Sequence, residues 1–406
     1  MRILYIHQYF NTHREAGGTR SYSLAKYLVE MGHSVVMLTS NRDKKDWALF
    51  QRRNIDGLDV VYIKNRYSNR MGFSSRVLSF LRFMVYSTMF CLKIRNIDIV
   101  FATSTPLTVG IPAVILKHVR KIPLIFEVRD LWPELAIKMN VLKNALLISA
   151  SKWLEKRIYR SSDYIVALAP GIKRGILRYN YSNKIAVVPN GSDIPLFQTA
   201  NRKDRKILPV KRDDFVLIYT GTHGIANGLN YVIDVARESL RRNFNDIKFV
   251  LVGDGMIKPA LIEQKNKDNL ENVIFLDPVP KEGLTQLIDE ADMCMQILEN
   301  CPSFYYGTSP NKFFDYLAAG KPVLINYPGW ISEIVLDYDC GVVVKPHDFD
   351  DFFNKVIPLI GNENKLENMG CNSLKLAKEK FDRRKLAKDF LDVFEEVYND
   401  AKKNVG

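Results

Sequence analysis

Residues 307 to 325 read Gly307-Thr-Ser-Pro-Asn-Lys-Phe-Phe-Asp-Tyr-Leu-Ala-Ala-Gly-Lys-Pro-Val-Leu-Ile325. The small residues, the apolar run and Gly320 predict a loop, a short helix and a turn into a buried strand. Thr308 or Ser309 is suited to cap this helix, and Pro310 is suited to its first position. The start of such a helix presents free N–H groups and the positive end of its dipole, which together bind phosphate.

Two charged residues of this helix add to that prediction. Lys312 places a cation in the first turn, where the helix dipole alone would favour an acid. Asp315 projects near the same mouth as the loop, where a carboxylate can accept two hydroxyls of a ribose. With Thr308–Asn311, these side chains indicate a phosphate and ribose site. An ordinary surface helix after a turn is the alternative that the segment alone leaves open.

The composition is that of a folded protein with about two or three domains. The chain has 406 residues, and 47% of them are hydrophobic. Its five cysteines form no CxxC pair, which indicates a reducing compartment and argues against a disulfide framework or a zinc site. Met1–Phe10 lacks the long apolar core of a signal peptide and is expected to form a buried strand. We therefore expect a cytoplasmic protein.

Short apolar strands alternate with amphipathic helices in two successive series. Strands are predicted at 2–7, 34–39, 97–103, 124–128, 164–168 and 185–189, and then at 215–219, 248–252, 273–276, 293–297, 322–326 and 340–344. This alternation predicts doubly wound parallel sheets with helices on both faces. Asn190–Asp213, between the series, has the composition of a linker. We expect an α/β fold of two Rossmann-like domains, 1–195 and 196–382, facing across a cleft, with a helix at 383–406 packed back on the first.

Glycine-rich turns follow the first strand of each series. Gly17 and Gly18 lie in the first turn, and Gly221, Gly224 and Gly228 lie in the second. Glycine lets backbone N–H groups approach a ligand without an intervening Cβ. Neither turn has the GxGxxG pattern of a dinucleotide site, and each by itself can be a plain strand–helix turn. Their equivalent positions favour a diphosphate held between the two domains.

Two further strand ends carry candidate residues. Val279 lies in Asp277–Lys281, where prolines free backbone groups that can meet a base edge, although a simple strand terminator explains them equally well. Arg129 and Asp130 lie in Phe126–Glu134, directly after an apolar strand. Charges there are costly unless they are paired or exposed in a cleft, so a functional role is favoured. The chain has no HExxH, Walker A or GxSxG motif and no acidic metal cluster, so no metal is expected.

The net charge of +13 is unevenly distributed. Between Val60 and Ile97 there is no acid, and aromatic residues are interleaved with basic ones. The basic residues are Lys64, Arg66, Arg70, Arg76, Arg82, Lys93 and Arg95. No stretch is long and apolar enough to span a membrane, but a helix with basic flanks can lie on an anionic membrane surface. A core-facing helix with basic ends is the alternative. Nucleic acid is a less favoured partner, because no nucleic-acid module is present.

Together these motifs resemble the GT-B glycosyltransferases of family 4, the retaining type, and in particular their WbuB-like branch. The resemblance spans essentially the whole chain. Its motifs are the Gly17-Gly18 turn, Arg129-Asp130-Leu-Trp-Pro133, Asn190-Gly191, Gly253-Asp-Gly255 and Pro310-Asn-Lys312 through Ala319-Gly-Lys-Pro322. The resemblance implies an acceptor-binding first domain and a nucleotide-sugar-binding second domain.

The resemblance also implies a function. We expect transfer of a sugar, such as an N-acetylated amino sugar, from a UDP-sugar to a lipid-linked saccharide or polyprenyl-diphosphate acceptor. The place would be the inner face of the plasma membrane, and the pathway would be bacterial surface polysaccharide synthesis (O-antigen or capsule). Arg76 and Arg82 are the expected contacts to acceptor or membrane. No metal or other cofactor is expected.

This chain departs from the family pattern in its charged residues. Members usually have two glutamates eight positions apart, which correspond here to Gly307 and Asp315. Near the second glycine turn, an arginine and a lysine correspond here to Thr222 and Asn227. The diphosphate charge is then expected to be met by Lys312, the amides of Thr308–Asn311 and Arg129. Lys312 would stabilise the leaving group, and Asp130 would serve as a base or orienting group in a front-face displacement.

Two other functions remain open at this point. A UDP-sugar epimerase of the same architecture would convert its substrate without an acceptor. A non-catalytic protein would bind nucleotide or polyanion and release no UDP.

Overall fold

The computed structural model describes residues 1–15, 17–41, 48–67, 71–179, 184–197 and 207–403. Of the predicted linker, 190–197 and 207–213 are described, whereas 198–206 lie outside the described residues. Arg70 and the last three residues of the predicted C-terminal helix also lie outside them. Two parallel sheets organise the described chain.

The strands of the first sheet lie between residues 2 and 187. Its strands are β1 (Arg2–Ile6), β2 (Ser34–Asn41), β3 (Phe50–Ile55), β4 (Leu58–Lys64), β5 (Ile99–Thr103), β6 (Leu124–Val128), β7 (Tyr164–Ala167) and β8 (Lys184–Val187). Their order is β3-β4-β2-β1-β5-β6-β7-β8, and only β3 pairs antiparallel, with β4, among these described strands.

Helices cover both faces of this sheet. They are α1 (Arg20–Glu30), α2 (Phe73–Lys93), α3 (Gly110–Arg120), α4 (Glu134–Lys138), α5 (Ala145–Ser161), α6 (Pro170–Leu177) and α7 (Ile194–Phe197). Leu4 and Ile6 of β1 belong to the core shared with α2, α3, α5 and α6, whereas Ile3 and Tyr5 belong to the core shared with α1. Because side chains alternate along a strand and both faces are buried, the strands read as continuous apolar runs.

The second sheet has the same design. Its strands are β9 (Phe215–Thr220), β10 (Ile247–Val252), β11 (Val273–Leu276), β12 (Met293–Gln296), β13 (Val323–Ile325) and β14 (Gly341–Val343), in the parallel order β11-β10-β9-β12-β13-β14. Its helices are α8 (Leu229–Arg241), α9 (Lys258–Lys267), α10 (Lys281–Asp289), α11 (Pro302–Gly307), α12 (Asn311–Ala318), α13 (Trp330–Asp337), α14 (Phe349–Val356) and α15 (Glu363–Leu376). The predicted pair of Rossmann-like parallel-sheet domains is confirmed.

A final helix, α16 (Arg383–Lys403), returns to the first sheet. Phe390 and Phe394 pack on Phe101 of β5, with ring centroids 5.1 and 5.5 Å apart. Arg383 at its start donates a 2.9 Å hydrogen bond to the Thr19 hydroxyl, just before α1. Helix α16 therefore packs on the first domain.

The strand order determines where a ligand can bind. Strand order reverses between β1 and β5 in the first sheet and between β9 and β12 in the second. Ligands of such sheets bind outside the carboxyl ends of the strands at these switch points. The Gly17-Gly18 turn follows β1, the Gly221–Gly228 loop follows β9, and the segment leading into α12 follows β12. All three predicted loops therefore lie at switch points.

The basic segment was only partly predicted. Its first residues form β4, which pairs with β3 in a hairpin that the strand predictions omitted. Asp56 and Gly57 join the two strands with φ of 49° and 87°, the left-handed pair typical of an Asp-Gly hairpin turn. The helix of this segment, α2, begins at Phe73.

Candidate active site

The helix start that was predicted to bind phosphate carries no side-chain cap. The sequence predicted Pro310 as the first helical residue. Helix α12 instead begins at Asn311, and Pro310 is its N-cap residue. The predicted caps are engaged elsewhere: the Ser309 hydroxyl accepts from the Asn190 amide at 2.9 Å, and the Thr308 hydroxyl donates to α11 at 3.0 Å. The first N–H groups of α12 therefore keep their capacity to bind an anion.

Lys312 is held at this helix start by neutral groups. Its Nζ donates to the Tyr219 hydroxyl at 2.6 Å and to Asn227 Oδ1 at 3.2 Å, and it lies 3.9 Å from the centre of the Tyr219 ring. The Thr222 carbonyl accepts 2.9 Å bonds from Tyr219 and Asn227. Burial lowers the pKa of Lys312 to about 7. Asn227 thus helps to position Lys312 directly, and the Thr222 carbonyl does so by holding Tyr219 and Asn227.

The two predicted glycine turns approach this helix start from different domains. A Cβ on Gly18 would lie 3.1 Å from Asn311 Nδ2, and one on Gly221, where φ is +135°, would lie 3.1 Å from Lys312 Cε. Gly17 has a φ of +132°, which favours glycine. Asn311 Oδ1 is buried without a partner among the described residues. The two turns therefore close on α12 from both sides of the cleft.

Asp315 is less accessible than the sequence suggested. It is 7% exposed, its Oδ1 accepts from the Ser192 hydroxyl at 2.9 Å, and Lys281 Nζ lies 3.2 Å away. Lys281 is also 3.8 Å from Asp193. A ribose hydroxyl can reach this carboxylate only by sharing it with Ser192 and Lys281.

Asp193 connects the same group to the C-terminal helix. Its Oδ2 lies 3.4 Å from Arg383 Nη1, and Arg383 also donates to the Gly191 carbonyl. The segment between the domains is thereby fixed to the second domain through Lys281 and to the first through Thr19.

A buried ion pair supports the first glycine turn. Arg20, which starts α1, donates from Nε and Nη2 to Glu127 Oε1 at 3.0 and 2.9 Å, and Thr103 donates to Glu127 Oε2 at 2.6 Å. The remaining Arg20 donors bind the carbonyls of Val188 and Pro189 at 2.8 and 2.6 Å. Glu127, one of the acids at the end of β6, therefore has a structural role and holds the segment that leads to Asn190.

Arg129 and Asp130 lie at the neighbouring strand end. Arg129 Nη1 is 3.3 Å from His7 Nε2, and the Arg129 amide donates to Ser104 Oγ at 3.0 Å. Asp130 accepts a long, 3.5 Å bond from Thr105. Burial raises the pKa of Asp130, and the nearby Arg129 and the Thr105 hydroxyl oppose that shift. A raised pKa suits a carboxyl that exchanges a proton during a reaction.

Asp130 faces the second domain across a small cavity. This cavity has a volume of about 140 Å³ and is lined by Asp130 and Glu134 on one side and by Gly307 and Thr308 on the other. Lys312 does not line it. The candidate site thus has two parts, the uncapped start of α12 and the cavity beside Asp130.

The other predicted residues lie farther out. Val279 is half-buried in the loop between β11 and α10. Arg82 is exposed on α2, whereas Arg76 is half-buried and donates to the Met71 carbonyl at 3.4 Å. In the described part of the chain, no three His, Cys, Asp or Glu side chains are grouped as ligands for a metal ion.

Sequence reasoning missed several residues that shape the site. Tyr219, Lys281 and Ser192 contact Lys312 or Asp315, and Arg20 contacts Glu127 and Asn190. His223 is fully buried near Gly253, and burial lowers its pKa to about 4, so it is neutral at physiological pH. Arg20 stands two positions after the Gly17-Gly18 turn, which was the one local signal for its role.

Comparison with known proteins identifies the class. Residues 16–191 match the family described as Glycosyl transferase 4-like domain, and residues 200–376 match Glycosyl transferases group 1. The two matches correspond to the two domains on either side of the cleft. The chain belongs to the GT-B glycosyltransferases of these families and is a transferase enzyme.

Individual relatives are distant. An uncharacterized glycosyltransferase of Methanocaldococcus jannaschii is 22% identical over 63% of this chain and 64% of its own. The D-inositol 3-phosphate glycosyltransferase of Nocardia farcinica is 27% identical over 54% and 50%, and the capsular polysaccharide biosynthesis glycosyltransferase CapM of Staphylococcus aureus is 23% identical over 56% and 60%. The chain matches only about half to two-thirds of the length of these relatives.

Solved structures share the complete fold. Sucrose-phosphate synthase of Thermosynechococcus elongatus superimposes with a TM-score of 0.79 at 16% identity, covering 98% of this chain and 99% of that one. Anabaena HepE, solved in complex with UDP-glucose, gives 0.72 at 18% identity and covers 98% and 100%. At these identities the likeness establishes the fold alone.

Proposed function

We propose that this enzyme transfers a sugar from a UDP-sugar, with retention of configuration, to a lipid-linked saccharide or polyprenyl-diphosphate acceptor. The acceptor would belong to bacterial surface polysaccharide synthesis, and an N-acetylated amino sugar is the proposed cargo. The match to a capsular polysaccharide glycosyltransferase supports the pathway, and the fold shared with HepE, solved with UDP-glucose, supports the donor class.

One observation carries the proposal: the uncapped start of α12, with Lys312 in its first turn, lies against the Gly17-Gly18 turn of the other domain. Departure of a nucleoside diphosphate builds negative charge on phosphate oxygens. Preorganised N–H groups and an ammonium stabilise that charge without rearrangement during the reaction. Free amides, a lysine and two glycine turns meet at one point, as this chemistry requires.

The nucleoside would extend from this point toward α10. In this proposal, backbone groups near Val279 meet the base, and Asp315 accepts the ribose hydroxyls. The Asp315 carboxylate lies 3.2 Å from Lys281 Nζ, and its oxygens can accept hydrogen bonds from the ribose hydroxyls. Arg129, on the acceptor side, would add charge near the departing diphosphate.

The proposed mechanism is front-face displacement. The bond between the sugar and the diphosphate oxygen breaks, and the acceptor oxygen bonds to the same carbon from the same face. The leaving diphosphate takes the acceptor proton, and Asp130 orients the acceptor hydroxyl or relays that proton. The raised pKa of Asp130 supports this role. Lys312 and the α12 amides are proposed to carry the charge, so no metal is required.

A membrane surface is the proposed location of the acceptor. Helix α2 has an exposed apolar stripe opposite its buried face, because its exposed large side chains recur every three or four residues. They are Leu78, Leu81, Val85, Met89 and Leu92. Arg82 is exposed on the same helix, as a basic flank on an anionic surface requires. None of the helices in the described residues is long and apolar enough to cross a membrane.

Flotation with anionic liposomes tests that location. Replacing Arg76 and Arg82 by glutamate together is expected to reduce the bound fraction, mainly through Arg82. If flotation is unchanged, α2 is not the anchor.

Release of UDP tests the function. The wild-type enzyme is expected to release UDP from one UDP-sugar only when a lipid-linked acceptor is present, and thermal shift should favour UDP- over dTDP- and GDP-sugars. Epimerised donor without acceptor would identify an epimerase. Nucleotide affinity that survives both Lys312→Ala and Asp315→Ala, with no UDP released, would identify a non-catalytic binding protein.

A further inference from the structure

A second apolar surface lies at the start of α5, outside the basic segment discussed so far. Leu146 is 81% exposed and Trp153 is 67% exposed, and Val141 and Leu147 are also exposed. The Asn144 side chain accepts from the amides of Leu146 and Leu147 at 3.0 and 3.1 Å. This cap makes the first turn of the helix an ordered structure. Four large apolar side chains are thus presented to solvent by a fixed element.

The pattern along α5 changes from apolar to basic on one face. Leu146, Ala150, Trp153 and Arg157 follow one another at intervals of three or four residues, so they share a side of the helix. All four are exposed. The distance along the axis from Leu146 to Trp153 is about 10 Å at 1.5 Å per residue. The apolar face of an interfacial helix enters the headgroup and acyl boundary to a depth of about 5–10 Å, which large side chains such as Leu146 and Trp153 can fill.

The surrounding charge is basic. From Leu135 to Arg160 the only acid is Glu155, which is buried and bonded by Tyr179 at 2.8 Å. The basic residues of the same stretch are Lys143, Lys152, Lys156, Arg157 and Arg160, together with Lys138, whose charge is paired with Glu134 at 2.5 Å. Burial raises the pKa of Glu155 to about 7, which further reduces opposing charge. An apolar tip within a basic ring matches an anionic lipid surface.

This surface is continuous with the mouth of the cleft. Lys138, Met139 and Asn140, directly before Val141, line a cavity of about 510 Å³ whose other wall comes from the second domain. Lys138 also lines the smaller cavity that contains Asp130. A lipid-linked acceptor whose chain stays in the bilayer beside α5 would therefore have its sugar end near Asp130.

We propose that Val141, Leu146, Leu147 and Trp153, which we term the α5 tip, enter the surface of an anionic bilayer and place the cleft mouth at the membrane. This inference rests on the proposed function only for the identity of the acceptor. The α5 tip acts together with the α2 stripe, since α2, α3 and α5 pack in one layer on the same face of the sheet.

Flotation with vesicles of phosphatidylcholine and phosphatidylglycerol tests the α5 tip in the full-length enzyme. The variant Leu146→Ser with Leu147→Ser is expected to bind at least about tenfold more weakly, because two large apolar side chains no longer enter the bilayer. The control is Leu336→Ser, which changes a side chain of the same kind that is 61% exposed on α13 of the second domain. The control should bind as the wild type does.

A spectroscopic measurement locates the contact. Trp153 emission should shift to the blue when vesicles are added to the wild type, and Trp153→Phe should abolish that shift while retaining most of the binding. The double serine variant should keep its affinity for UDP, because the α5 tip belongs to the first domain and Lys312 to the second, but should lose turnover of an acceptor embedded in vesicles.

Three outcomes would overturn the proposal. The first is unchanged flotation of the double serine variant, and the second is an absent Trp153 shift on vesicles that bind the enzyme. The third is a dimer in light scattering that the double variant converts to monomer, which would make the α5 tip an interface between copies. If no UDP-sugar is used by any variant, the proposed reaction fails while flotation still decides the membrane contact.

Discussion

Replacing Lys312 by methionine is expected to weaken UDP binding and to stabilise the ligand-free enzyme, two effects of opposite sign. Methionine retains an unbranched apolar chain of similar shape and removes only the ammonium. Hydrogen bonds to charged groups contribute about 1.5–3 kcal/mol, which corresponds to about a 10- to 100-fold loss of UDP affinity. The loss should be visible by isothermal titration calorimetry at neutral pH.

The pH dependence identifies the ammonium as the cause. Burial gives Lys312 a pKa of about 7, and a bound diphosphate favours the protonated form. Above about pH 7 the free enzyme must therefore take up a proton to bind UDP, so its affinity should fall by up to about tenfold per pH unit. The Lys312→Met variant has no such proton to gain, and its affinity should be flat from about pH 7 to about pH 9.

The effect on stability follows from the same burial. Lys312 contacts the Tyr219 hydroxyl and Asn227, and no described carboxylate forms a salt bridge with it. Its folded-state pKa is depressed below the ordinary 10.5, so the unfavourable burial is fully present below about pH 7 and is relieved as the pH rises toward 10.5. The variant should therefore melt at a higher temperature, by about 2–4 °C for each kcal/mol gained, and most clearly at low pH.

A matched control separates these effects from a simple change of net charge. Lys267 is exposed on α9 of the same domain, and Lys267→Met should change neither UDP affinity nor its pH dependence. Equal UDP affinity of Lys312→Met and wild type, or a wild-type affinity that does not fall above pH 7, would refute the assignment of Lys312 to the diphosphate. A lower melting temperature would show that the variant damages the fold.

Three further changes test other parts of the structure. Gly253→Ala should destabilise the enzyme by about 3 kcal/mol or more, because its Cβ would lie 1.8 Å from the Gly221 carbonyl oxygen and φ is +147°. The control is Gly72→Ala, whose Cβ would meet open space. Equal urea midpoints of the two variants would contradict the close approach of Gly253 to Gly221. Asp315→Asn should raise the KM for the donor about tenfold with a smaller change in kcat, and an unchanged KM would remove Asp315 from the ribose site. Glu127→Gln should lower the free energy of unfolding by about 3–5 kcal/mol, because Arg20 would lose its buried counter-charge. A loss below about 1 kcal/mol in urea denaturation would show that the Arg20–Glu127 ion pair does not stabilise the fold.

The order of helices and strands was readable from the sequence because local patterns encode it. Predicted strands such as 124–128 and 273–276 coincide with β6 and β11. Buried parallel strands need apolar residues on both faces, which leaves an unbroken signal. The hairpin of β3 and β4 was missed because its outer strand carries Gln, Arg and Asn, so an edge strand lacks that signal.

The location of the site was also readable, since glycine turns and a helix start at strand ends mark a switch point in any such sheet. The burial and the hydrogen-bond partners of each site residue were not readable from the sequence. Neither the pairing of Asp315 with Ser192, 123 positions away, nor the contact of Lys312 with Tyr219, 93 positions away, leaves a local pattern. Thr222 and Asn227 looked like lost cations, yet they help to hold the remaining one.

The amino-acid sequence by itself thus determined two parallel-sheet domains and the loops that face each other between them, because periodicity, turn residues and helix starts act over a few neighbouring positions. Only the tertiary structure decided which groups are buried, which are already paired and which apolar side chains remain in solvent. Those properties depend on distant segments brought together, as Arg383 is brought to Thr19 across 364 positions. Leu146 and Trp153 look like core residues in the sequence, and only the packed structure leaves them exposed.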